Sequence, residues 1–553
     1  MPMNADRAPR AQRVVVAGAG IAGLVSAALL AARGLDVQVV EAGAAVGGKM
    51  RRIEVAGAGI DSGPTVFTMR WVFDAVFEAL GTRLEDELKV SPLQVLASHT
   101  WRGRSDEGDD ATGLNLYADR ERSAEAVGEF AGAAEARAFR GFCDEARKLY
   151  ATLESPYIRS PRPTFWRMVH DLGPSGLATL ASLGPLATLS GRLAHHFRDP
   201  RLRQLFARYA TYTGSSPGMA PATLMLIAQV ELDGVWRVEG GLHAVAQRLQ
   251  ALAEAAGARF RFGRAVREVT VRGGRACGVV LADGEALSCD HVIWNGDVNA
   301  LASGLAGPDA AVAARPVPPR ERSLSALTWS MHTAAGGPAP LTMHNVFFDR
   351  DYASEFADIF GQRRLPRRGT VYVCAQDRGD DSARLDGPPL DLNGHLRPER
   401  LLALVNAPAT GDLGPGHRAA LSEEEIDRCE QRSFQLLRAC GLRLSPSAHQ
   451  VVRTSPIVLE RLFPATGGAL YGRASHGWMA QFKRAGAASR LPGLWTAGGS
   501  VHPGPGVPMA AMSGRLAAEA LMAHLDSTSR FRVAATSGGT STRSATTTVT
   551  PSP

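Results

Sequence analysis

The chain has few cysteines for its length, and none is placed like a metal ligand. Its six cysteines among 553 residues form no CxxC pair and have no histidine-rich spacing near them. Zinc and iron–sulfur sites require such clusters, so no metal site is predicted. The cysteines are expected to be reduced, which is the default inside cells.

Long uninterrupted apolar runs are also missing. The first dozen residues are polar and basic, so no secretion signal is expected. The stretch from Leu172 to Gly191 carries no charge, but Gly173-Pro174 and Gly184-Pro185 interrupt it, which argues against a membrane-spanning helix. Two interpretations of this stretch stay open: an anchor that dips into one leaflet, and a buried helix pair beside an apolar tunnel.

The net charge of +7 is modest, and its pattern excludes one class of partner. The arginines are scattered, and no basic stretch is interleaved with stacking aromatic residues. Binding to nucleic acid is therefore not expected. An arginine-rich soluble surface and adhesion to an anionic membrane both remain compatible with the charge.

The most informative stretch lies near the amino terminus. A β-branched strand, Arg13 to Ala17, is followed by Gly18, Gly20 and Gly23 and then by an alanine-rich helix from Leu24 to Arg33. The first glycine permits a tight turn, the second lets backbone approach a pyrophosphate, and the third allows close packing of helix on strand. The helix amino terminus supplies N–H groups for phosphates, so the pattern predicts a dinucleotide site.

Two features further along indicate which dinucleotide binds. Glu41 follows a second strand, Val37 to Val40, and a carboxylate there accepts ribose hydroxyls and repels a ribose phosphate, which favours FAD or NAD over NADP. Gly47 and Gly48 resemble the second glycine pair of flavoproteins with two dinucleotide-binding domains. FAD is therefore the predicted cofactor, and a second GxGxxG after a strand is absent, so one site is expected.

A second informative stretch lies close to the carboxyl end. The strand Leu494 to Ala497 ends in Gly498 and Gly499, and after a loop Pro508 begins a helix. The partial positive charge of that helix amino terminus would stabilise the negative charge that a flavin acquires on reduction.

The order of elements predicts an α/β chain in which a Rossmann-like FAD-binding domain is interleaved with a mixed α+β substrate domain. A helix, a strand and a hairpin after Trp236 return the chain to the first sheet. The predicted FAD-binding segments are 12–105, 236–300 and 490–525. The segments 106–235, with a membrane-associated surface, and 301–489 are assigned to the substrate domain, and 526–553 to a disordered tail.

The two ends of the chain resemble the phytoene desaturase family of FAD-dependent carotenoid oxidoreductases, within the flavin amine oxidase and carotenoid desaturase superfamily. The resemblance rests on the opening motif, on Asp61-Ser-Gly-Pro-Thr, on Gly240-Gly241 before a helix, and on His502-Pro-Gly-Pro-Gly-Val-Pro508. Within the family, the segment Gly63 to Phe73 looks closest to the bacterial 1-hydroxycarotenoid 3,4-desaturases, also called methoxyneurosporene dehydrogenases. One departure is the sequence before Gly240, which lacks the proline that often precedes the glycine pair.

The resemblance implies removal of two hydrogens from a carotenoid, a hydride to the flavin and a proton to a base or to water. The reaction expected is 3,4-desaturation of a 1-hydroxycarotenoid. Phytoene desaturase, carotenoid isomerase, amine oxidase and, from another class, a non-catalytic lipid-carrying protein remain alternatives. Oxygen or a quinone is the expected electron acceptor, and the expected location is cytoplasmic, peripherally on the membrane. A tunnel for the long apolar substrate is predicted to be lined by Phe165, Trp166, Leu177 and Leu183.

The resemblance also implies site residues. The FAD contacts expected are Gly18, Gly20, Ile21, Ala22 and Gly23 at the pyrophosphate, Glu41 at the ribose, Gly48, Lys49 and Met50 at the second glycine pair, Val266 at the adenine, and Gly498, Gly499, Val507 and Pro508 near the isoalloxazine. His502 is a candidate base or substrate-orienting group, and a histidine bonded to loop backbone is the alternative. Arg70 is a candidate partner of a substrate hydroxyl, with a helix-start arginine as the alternative.

Overall fold

The computed structural model describes residues 11–536 except 105–107, 109, 162–163, 185, 381–383, 388–389 and 391–393. The side chains of Phe165 and of residues 529–536 are also outside the description. The strands in chain order are β1 Arg13–Ala17, β2 Asp36–Val40, β3 Arg52–Val55, β4 Ala58–Asp61, β5 Val90–Pro92, β6 Val95–Trp101, β7 Thr112–Tyr117, β8 Trp236–Val238, β9 Arg259–Arg261, β10 Val266–Arg272, β11 Arg275–Leu281, β12 Ala286–Ser288, β13 His291–Trp294, β14 Ser325–Thr333, β15 Ala335–Gly336, β16 His344–Phe348, β17 Val371–Ala375, β18 Glu399–Ala407, β19 Arg443–Leu444, β20 Val451–Thr454 and β21 Leu494–Thr496.

The α-helices alternate with these strands along the chain. In chain order they are α1 Ile21–Ala32, α2 Arg70–Ala79, α3 Leu84–Glu87, α4 Arg120–Ala131, α5 Ala133–Leu153, α6 Phe165–Leu183, α7 Leu189–His196, α8 Pro200–Ala207, α9 Leu226–Leu232, α10 Leu242–Ala255, α11 Val298–Ala302, α12 Tyr352–Phe356, α13 Glu423–Ala439, α14 Pro456–Leu462 and α15 Val507–Thr536.

A five-stranded sheet in the order β21-β13-β1-β2-β9 organises the first half of the fold, and its strands are parallel. Parallel sheets are covered on both faces, which explains why β1 is a nearly continuous buried run. Helix α1 packs between the sheet and α15 so closely that a Cβ on Gly514 would lie 2.2 Å from the carbonyl oxygen of Ala22. The small residues of α1 therefore let α15 close over it, and Ser26 donates a hydrogen bond of 2.9 Å to the same carbonyl.

A seven-stranded sheet in the order β20-β14-β18-β17-β16-β6-β7 forms the second half. One face, with Leu327, Trp329 and Val373, belongs to an apolar core shared with α13. The alternate residues of the same strands point to the opposite face, as strand geometry requires. Strand β6 belongs to this sheet although it lies inside the predicted FAD-binding segment 12–105.

Several predicted elements shift or divide. Helix α1 begins at Ile21 rather than at Leu24, because the apolar residues of the GxGxxG turn already form its first turn. The helical stretch before Leu153 consists of α4 and α5, which are separated at Gly132, whose φ of 94° lies outside the helical region. Helix α15 continues to Thr536, so the prediction of disorder from 526 is wrong up to that residue, and 537–553 lie outside the described residues.

The uncharged stretch after Leu172 is helical through most of its length. Helix α6 continues across Gly173, whose φ of 60° and ψ of −176° produce a kink, and the chain then enters α7. The second predicted break includes Pro185, which is outside the described residues. Within the described part of the chain, every helix is too short or too polar to cross a bilayer.

Candidate functional site

One cavity of about 1250 Å³ extends from the five-stranded sheet to the seven-stranded sheet. Ala17, Val40 and Trp294, the last residues of β1, β2 and β13, line one end. The carboxyl ends of parallel strands are where open α/β sheets bind ligands. This end contains thirteen of the predicted FAD contacts: Gly18, Gly20, Ile21, Ala22, Glu41, Gly48, Lys49, Met50, Val266, Gly498, Gly499, Val507 and Pro508.

The glycine-rich turn brings backbone to the cavity surface. Gly18 has a φ of 109° and Gly48 a φ of 57°, conformations that glycine adopts without strain. A Cβ on Gly48 would lie 3.2 Å from Cα of Gly20, so the two glycine motifs are in contact. The amino terminus of α1 has no side-chain cap and lines the cavity, which leaves its N–H groups available to phosphate.

Gly23 is the one predicted FAD contact that does not line the cavity. A Cβ at this position would lie 2.2 Å from the carbonyl oxygen of Gly18 and 2.7 Å from Oδ1 of Asn295. Gly23 therefore acts through packing of α1 against the turn, which is the role that the sequence pattern assigns to the third glycine.

Glu41 is held at the end of β2 by backbone hydrogen bonds. Its Oε2 accepts a hydrogen bond of 2.7 Å from the N–H of Ala19, and its Oε1 accepts one of 2.7 Å from Gly43. These bonds orient the carboxylate into the cavity beside Val266, where the ribose and adenine are expected.

The second glycine pair leads to two residues held by distant segments. Nζ of Lys49 donates to the carbonyl oxygen of Leu470 at 2.5 Å and lies 5.2 Å above the ring of Phe463. Burial lowers the pKa of Lys49, and Asp297 partly opposes that effect. The carbonyl oxygen of Met50 lies 2.8 Å from Nδ1 of His243 on α10.

The closing motif forms the part of this end where the isoalloxazine is expected. Gly498 and Gly499 follow β21, and Val507 and Pro508 begin α15, so a second helix amino terminus faces the same cavity as α1. Asn295 was not predicted, although it follows β13 at the carboxyl edge of the sheet, the position that marks binding residues. Its Oδ1 is buried without a hydrogen-bond partner among the described residues. A cradle of glycines, two helix amino termini and the carboxylate of Glu41 at the end of β2 together fit FAD.

The other arm of the cavity is mostly apolar. Leu172, Leu177 and Leu183 of α6 line it, which places two of the four predicted tunnel residues at the cavity surface. Trp166 does not line it and is 77% exposed. The side chain of Phe165 is outside the description, so its prediction stays untested.

The seven-stranded sheet forms the opposite wall. Thr328, Leu404, Tyr372 and Val346 are paired in one row across β14, β18, β17 and β16. All four line the cavity. The hydroxyl of Tyr372 is 2.7 Å from Oγ1 of Thr65, which connects this wall to the Asp61-Ser-Gly-Pro-Thr turn.

A buried charged cluster, which the sequence did not predict, lies in this arm. The side chains of Arg208, after α8, and Glu231, on α9, are 8% and 7% exposed and form an ion pair of 3.5 Å. The hydroxyl of Tyr212 donates to Oε1 of Glu231 at 2.7 Å and also contacts Arg208. The available signal was Glu231, the one charged residue of the apolar helix α9, because charges are seldom buried without a partner.

His502 is not at the cavity surface. It is 4% exposed, its Nε2 lies 2.8 Å from the carbonyl oxygen of Ser160, and its ring meets Tyr157 edge-on at 4.9 Å. Burial lowers its pKa to about 4, which weakens it as a base at neutral pH. These contacts favour the alternative of a loop histidine bonded to backbone.

Arg70 is also outside the cavity lining. It begins α2 and forms ion pairs with Asp74, at 3.2 Å, and with Glu85. This arrangement favours a helix-start arginine, and it does not support the role of a partner for a substrate hydroxyl.

Comparison with known sequences gives matches along nearly the whole chain. A family model described as flavin containing amine oxidoreductase matches residues 21–522. A hydroxyneurosporene desaturase of Rubrivivax gelatinosus is 61% identical, over 97% of this chain and 98% of that protein. A hydroxyneurosporene desaturase of Cereibacter sphaeroides is 44% identical, over 94% and 99%. A 1-hydroxycarotenoid 3,4-desaturase of Flavobacterium is 26% identical, over 92% and 98%.

Solved structures show the same fold at low identity. Putrescine oxidase bound to putrescine has a TM-score of 0.57 and 17% identity, over 93% of this chain and 99% of that one. The predicted α/β fold of the flavin amine oxidase superfamily is therefore confirmed, and at this identity the likeness concerns the fold alone.

Proposed function

The chain belongs to the flavin containing amine oxidoreductase family and, within it, to the carotenoid desaturases of the phytoene desaturase family, and on that premise we propose that it catalyses the 3,4-desaturation of a 1-hydroxycarotenoid. Its cofactor is FAD. The finer assignment is supported by the names of its relatives, two of which are hydroxyneurosporene desaturases and one a 1-hydroxycarotenoid 3,4-desaturase.

The observation that carries the proposal is the continuity of the cavity. Its glycine-lined end and its apolar arm form one space of about 1250 Å³, so a long apolar chain can enter beside the FAD site. The volume exceeds the roughly 300–1,000 Å³ of ordinary small-molecule sites, as expected for a cavity that must hold two large molecules.

FAD, when bound, would supply the acceptor for a hydride from one carbon, and the hydrogen on the adjacent carbon would leave as a proton to a base or to water as the double bond forms. The chain holds the cofactor with its two helix amino termini and Glu41. Leu172, Leu177 and Leu183 exclude water and hold the polyene, and the sheet wall limits which bond can reach the cofactor.

The test is product analysis with purified protein and FAD. Hydroxyneurosporene, neurosporene and phytoene are supplied in detergent or vesicles, and products are identified by mass, absorption spectrum and NMR. Loss of two hydrogens with a new 3,4 double bond is expected from hydroxyneurosporene, with much slower turnover of neurosporene and none of phytoene. Conversion of phytoene would contradict the proposal, and a changed cis/trans ratio without mass loss would indicate an isomerase.

The same preparation tests the alternative from another class. A colourless protein that binds no FAD and carries a carotenoid unchanged would be a lipid carrier. The intact glycine cradle around Gly18, Gly20 and Gly48 argues against that outcome, because a carrier without flavin has no need for it.

We propose that the electron acceptor is oxygen or a quinone, since reoxidation is required for turnover. Anaerobic assays with and without a soluble quinone distinguish the two. Turnover that needs oxygen identifies the first, turnover restored by the quinone identifies the second, and turnover with neither would reject both.

We also propose that the protein attaches peripherally to the cytoplasmic membrane surface through α6 and the segment after it. Leu177 lines the cavity and is 38% exposed, and Trp166 and Leu186, near the two ends of α6, are 77% and 80% exposed. An apolar surface beside a cavity mouth suits an enzyme whose substrate is dissolved in lipid.

Flotation with vesicles of phosphatidylethanolamine and phosphatidylglycerol tests this attachment. The double variant Trp166→Ser, Leu186→Ser is expected to lose most vesicle binding while keeping its FAD content. Val312→Ser, which removes another apolar side chain that is 60% exposed, is the matched control and is expected to float like the unmodified protein. Equal flotation of all three proteins would reject α6 as the attachment surface.

A further inference from the structure

The apolar arm of the cavity contains polar groups to which a pure hydrocarbon cannot form hydrogen bonds. We call Arg208, Tyr212, Glu231, Tyr352 and Tyr372 the polar wall, and all five line the cavity. A carotene without oxygen would leave these groups facing carbon. Burying polar groups against hydrocarbon is costly, so their presence indicates a polar feature in the bound molecule.

Most polar groups of the polar wall already form hydrogen bonds within the protein. The groups that lack such a bond are informative. The hydroxyl of Tyr372 is 2.7 Å from both Thr65 and Nδ1 of His344. In contrast, Nε of Arg208, Oη of Tyr352 and Oγ1 of Thr328 are buried without a hydrogen-bond partner in the part of the chain that the structure describes. Thr328 lies on the same sheet row as Tyr372 and also lines the cavity.

The charges of the wall select a neutral ligand. Arg208 is paired with Glu231, and burial, together with the charge of Arg208, lowers the pKa of His344 to about 3, so this histidine is uncharged at neutral pH. A carboxylate ligand would meet Glu231, and an ammonium ligand would meet Arg208. A hydroxyl is neutral and both donates and accepts, so it can satisfy a guanidinium N–H and a tyrosine hydroxyl together.

One hydrogen bond connects the polar wall to the turn after Asp61. A hydroxyl on carbon 1 is separated by a single carbon from the bond between carbons 3 and 4, so its binding group must lie beside the cofactor and not at the far end of the arm. Tyr372 is bonded to Thr65, in the turn after Asp61 that lines the same cavity. Arg208 and Tyr352 line this same cavity together with Tyr372.

We infer that the unsatisfied groups of Arg208 and Tyr352 bind the hydroxyl end group of the substrate and thereby determine which end of the polyene is desaturated. The inference rests on the proposed function, because it requires a hydroxylated carotenoid as substrate. It assigns the selectivity for the hydroxylated end of the substrate to two residues that are far apart in sequence.

The test compares kcat/KM for hydroxyneurosporene and neurosporene in matched variants. Tyr352→Phe removes the unpartnered hydroxyl and keeps the ring, and Arg208→Lys removes Nε–H and keeps a cation for Glu231. Each variant is expected to lower kcat/KM for the hydroxylated substrate roughly tenfold, the value of one hydrogen bond, and to leave that for neurosporene unchanged. Tyr150→Phe is the matched control, because the hydroxyl of Tyr150 contacts Trp71 outside the cavity lining.

The outcomes separate failure of the inference from failure of the proposed function. Equal losses on both substrates would assign the polar wall to the fold, and no loss on either would remove it from recognition, so both results overturn the inference. In both cases 3,4-desaturation of hydroxyneurosporene by the unmodified protein would still uphold the proposed function. An unmodified protein that desaturates neurosporene as fast as hydroxyneurosporene would overturn both.

Discussion

The two arms of the cavity differ in the chemical groups that line them. The FAD end consists mainly of backbone and glycine from two short motifs, Gly18 to Gly23 and Gly47 to Gly48, closed by the start of α15. The substrate arm consists of side chains from α6, α9 and four strands of the seven-stranded sheet.

This difference explains what each arm can tolerate. Where backbone atoms approach the ligand closely, there is no space for an added side chain, so a substitution of glycine there weakens binding. A site made of side chains can exchange apolar residues of similar volume at small cost, except where a buried charge depends on one partner. The four predictions below test this contrast, from the largest expected effect to the smallest.

The largest effect on function is expected for Gly20→Val at the FAD end, because loss of FAD removes activity altogether. A Cβ there would already lie 2.8 Å from Oδ1 of Asn295, and the larger side chain would enter the cavity beside Gly48. An overpacking cost of up to ~3 kcal/mol corresponds to about a 100-fold loss of FAD affinity, measured by flavin fluorescence. Gly141→Ala, where a Cβ meets open space on α5, is the control and should retain FAD fully. Normal FAD content in Gly20→Val would refute the backbone cradle.

A large loss of stability without loss of the cofactor is expected for Arg208→Met in the substrate arm. It leaves Glu231 buried without its cation, which costs about 3–5 kcal/mol of unfolding free energy, measured by chemical denaturation. The double variant Arg208→Met, Glu231→Gln removes the uncompensated charge and should recover most of that loss. A double variant as unstable as the single one would show that packing, and not charge, explains the cost.

A pH-dependent effect of intermediate size is expected for His502. Its folded-state pKa of about 4 lies below the ordinary 6.5, so the unfolded chain takes up the proton first. The stability that the neutral ring contributes is complete above pH 6.5 and is lost as pH falls toward 4, by up to about 3 kcal/mol. His502→Gln should flatten this part of the stability curve relative to the unmodified protein while most turnover remains. A loss of turnover of about 100-fold or more at normal FAD content would instead identify His502 as the base.

The smallest effect is expected for Arg70→Ala. Its ion pairs with Asp74 and Glu85 are partly exposed, and such pairs contribute about 0–1 kcal/mol. Stability, FAD content and the preference for hydroxyneurosporene should all remain close to those of the unmodified protein. A selective loss of activity on the hydroxylated substrate would return the role of hydroxyl partner from the polar wall to Arg70.

The elements that local signals specify were predicted well. The strand, turn and helix around Gly18 and the closing strand and helix appear in the structure within a few residues of their predicted bounds. Their signals are glycine at positive φ, alternation in strands and proline at a helix start, which act over a few residues. Helix ends were less accurate, because apolar residues of a turn and those of a first helical turn look alike.

The substrate arm was predicted less well for a physical reason. Leu177 and Leu183 line the cavity as expected, whereas Trp166, on the same helix, points elsewhere, and helical spacing does not say which face meets the cavity. Arg208 and Glu231 are separated by 23 positions and become partners only because the fold brings the 3-10 helix that begins at Arg208 close to α9. Pairing between residues so far apart leaves no local sequence pattern from which it could be predicted.

The sequence alone determined the cofactor, the parallel sheet that holds it and the two motifs that clamp it, because those features depend on backbone conformation that neighbouring residues set. Only the tertiary structure decided that one cavity joins the FAD site to an apolar arm, that Arg70 and His502 lie outside its lining, and that a polar wall lies within it. These are consequences of which side chains meet after long segments pack, and burial and pairing of charge between distant residues are set by the whole fold.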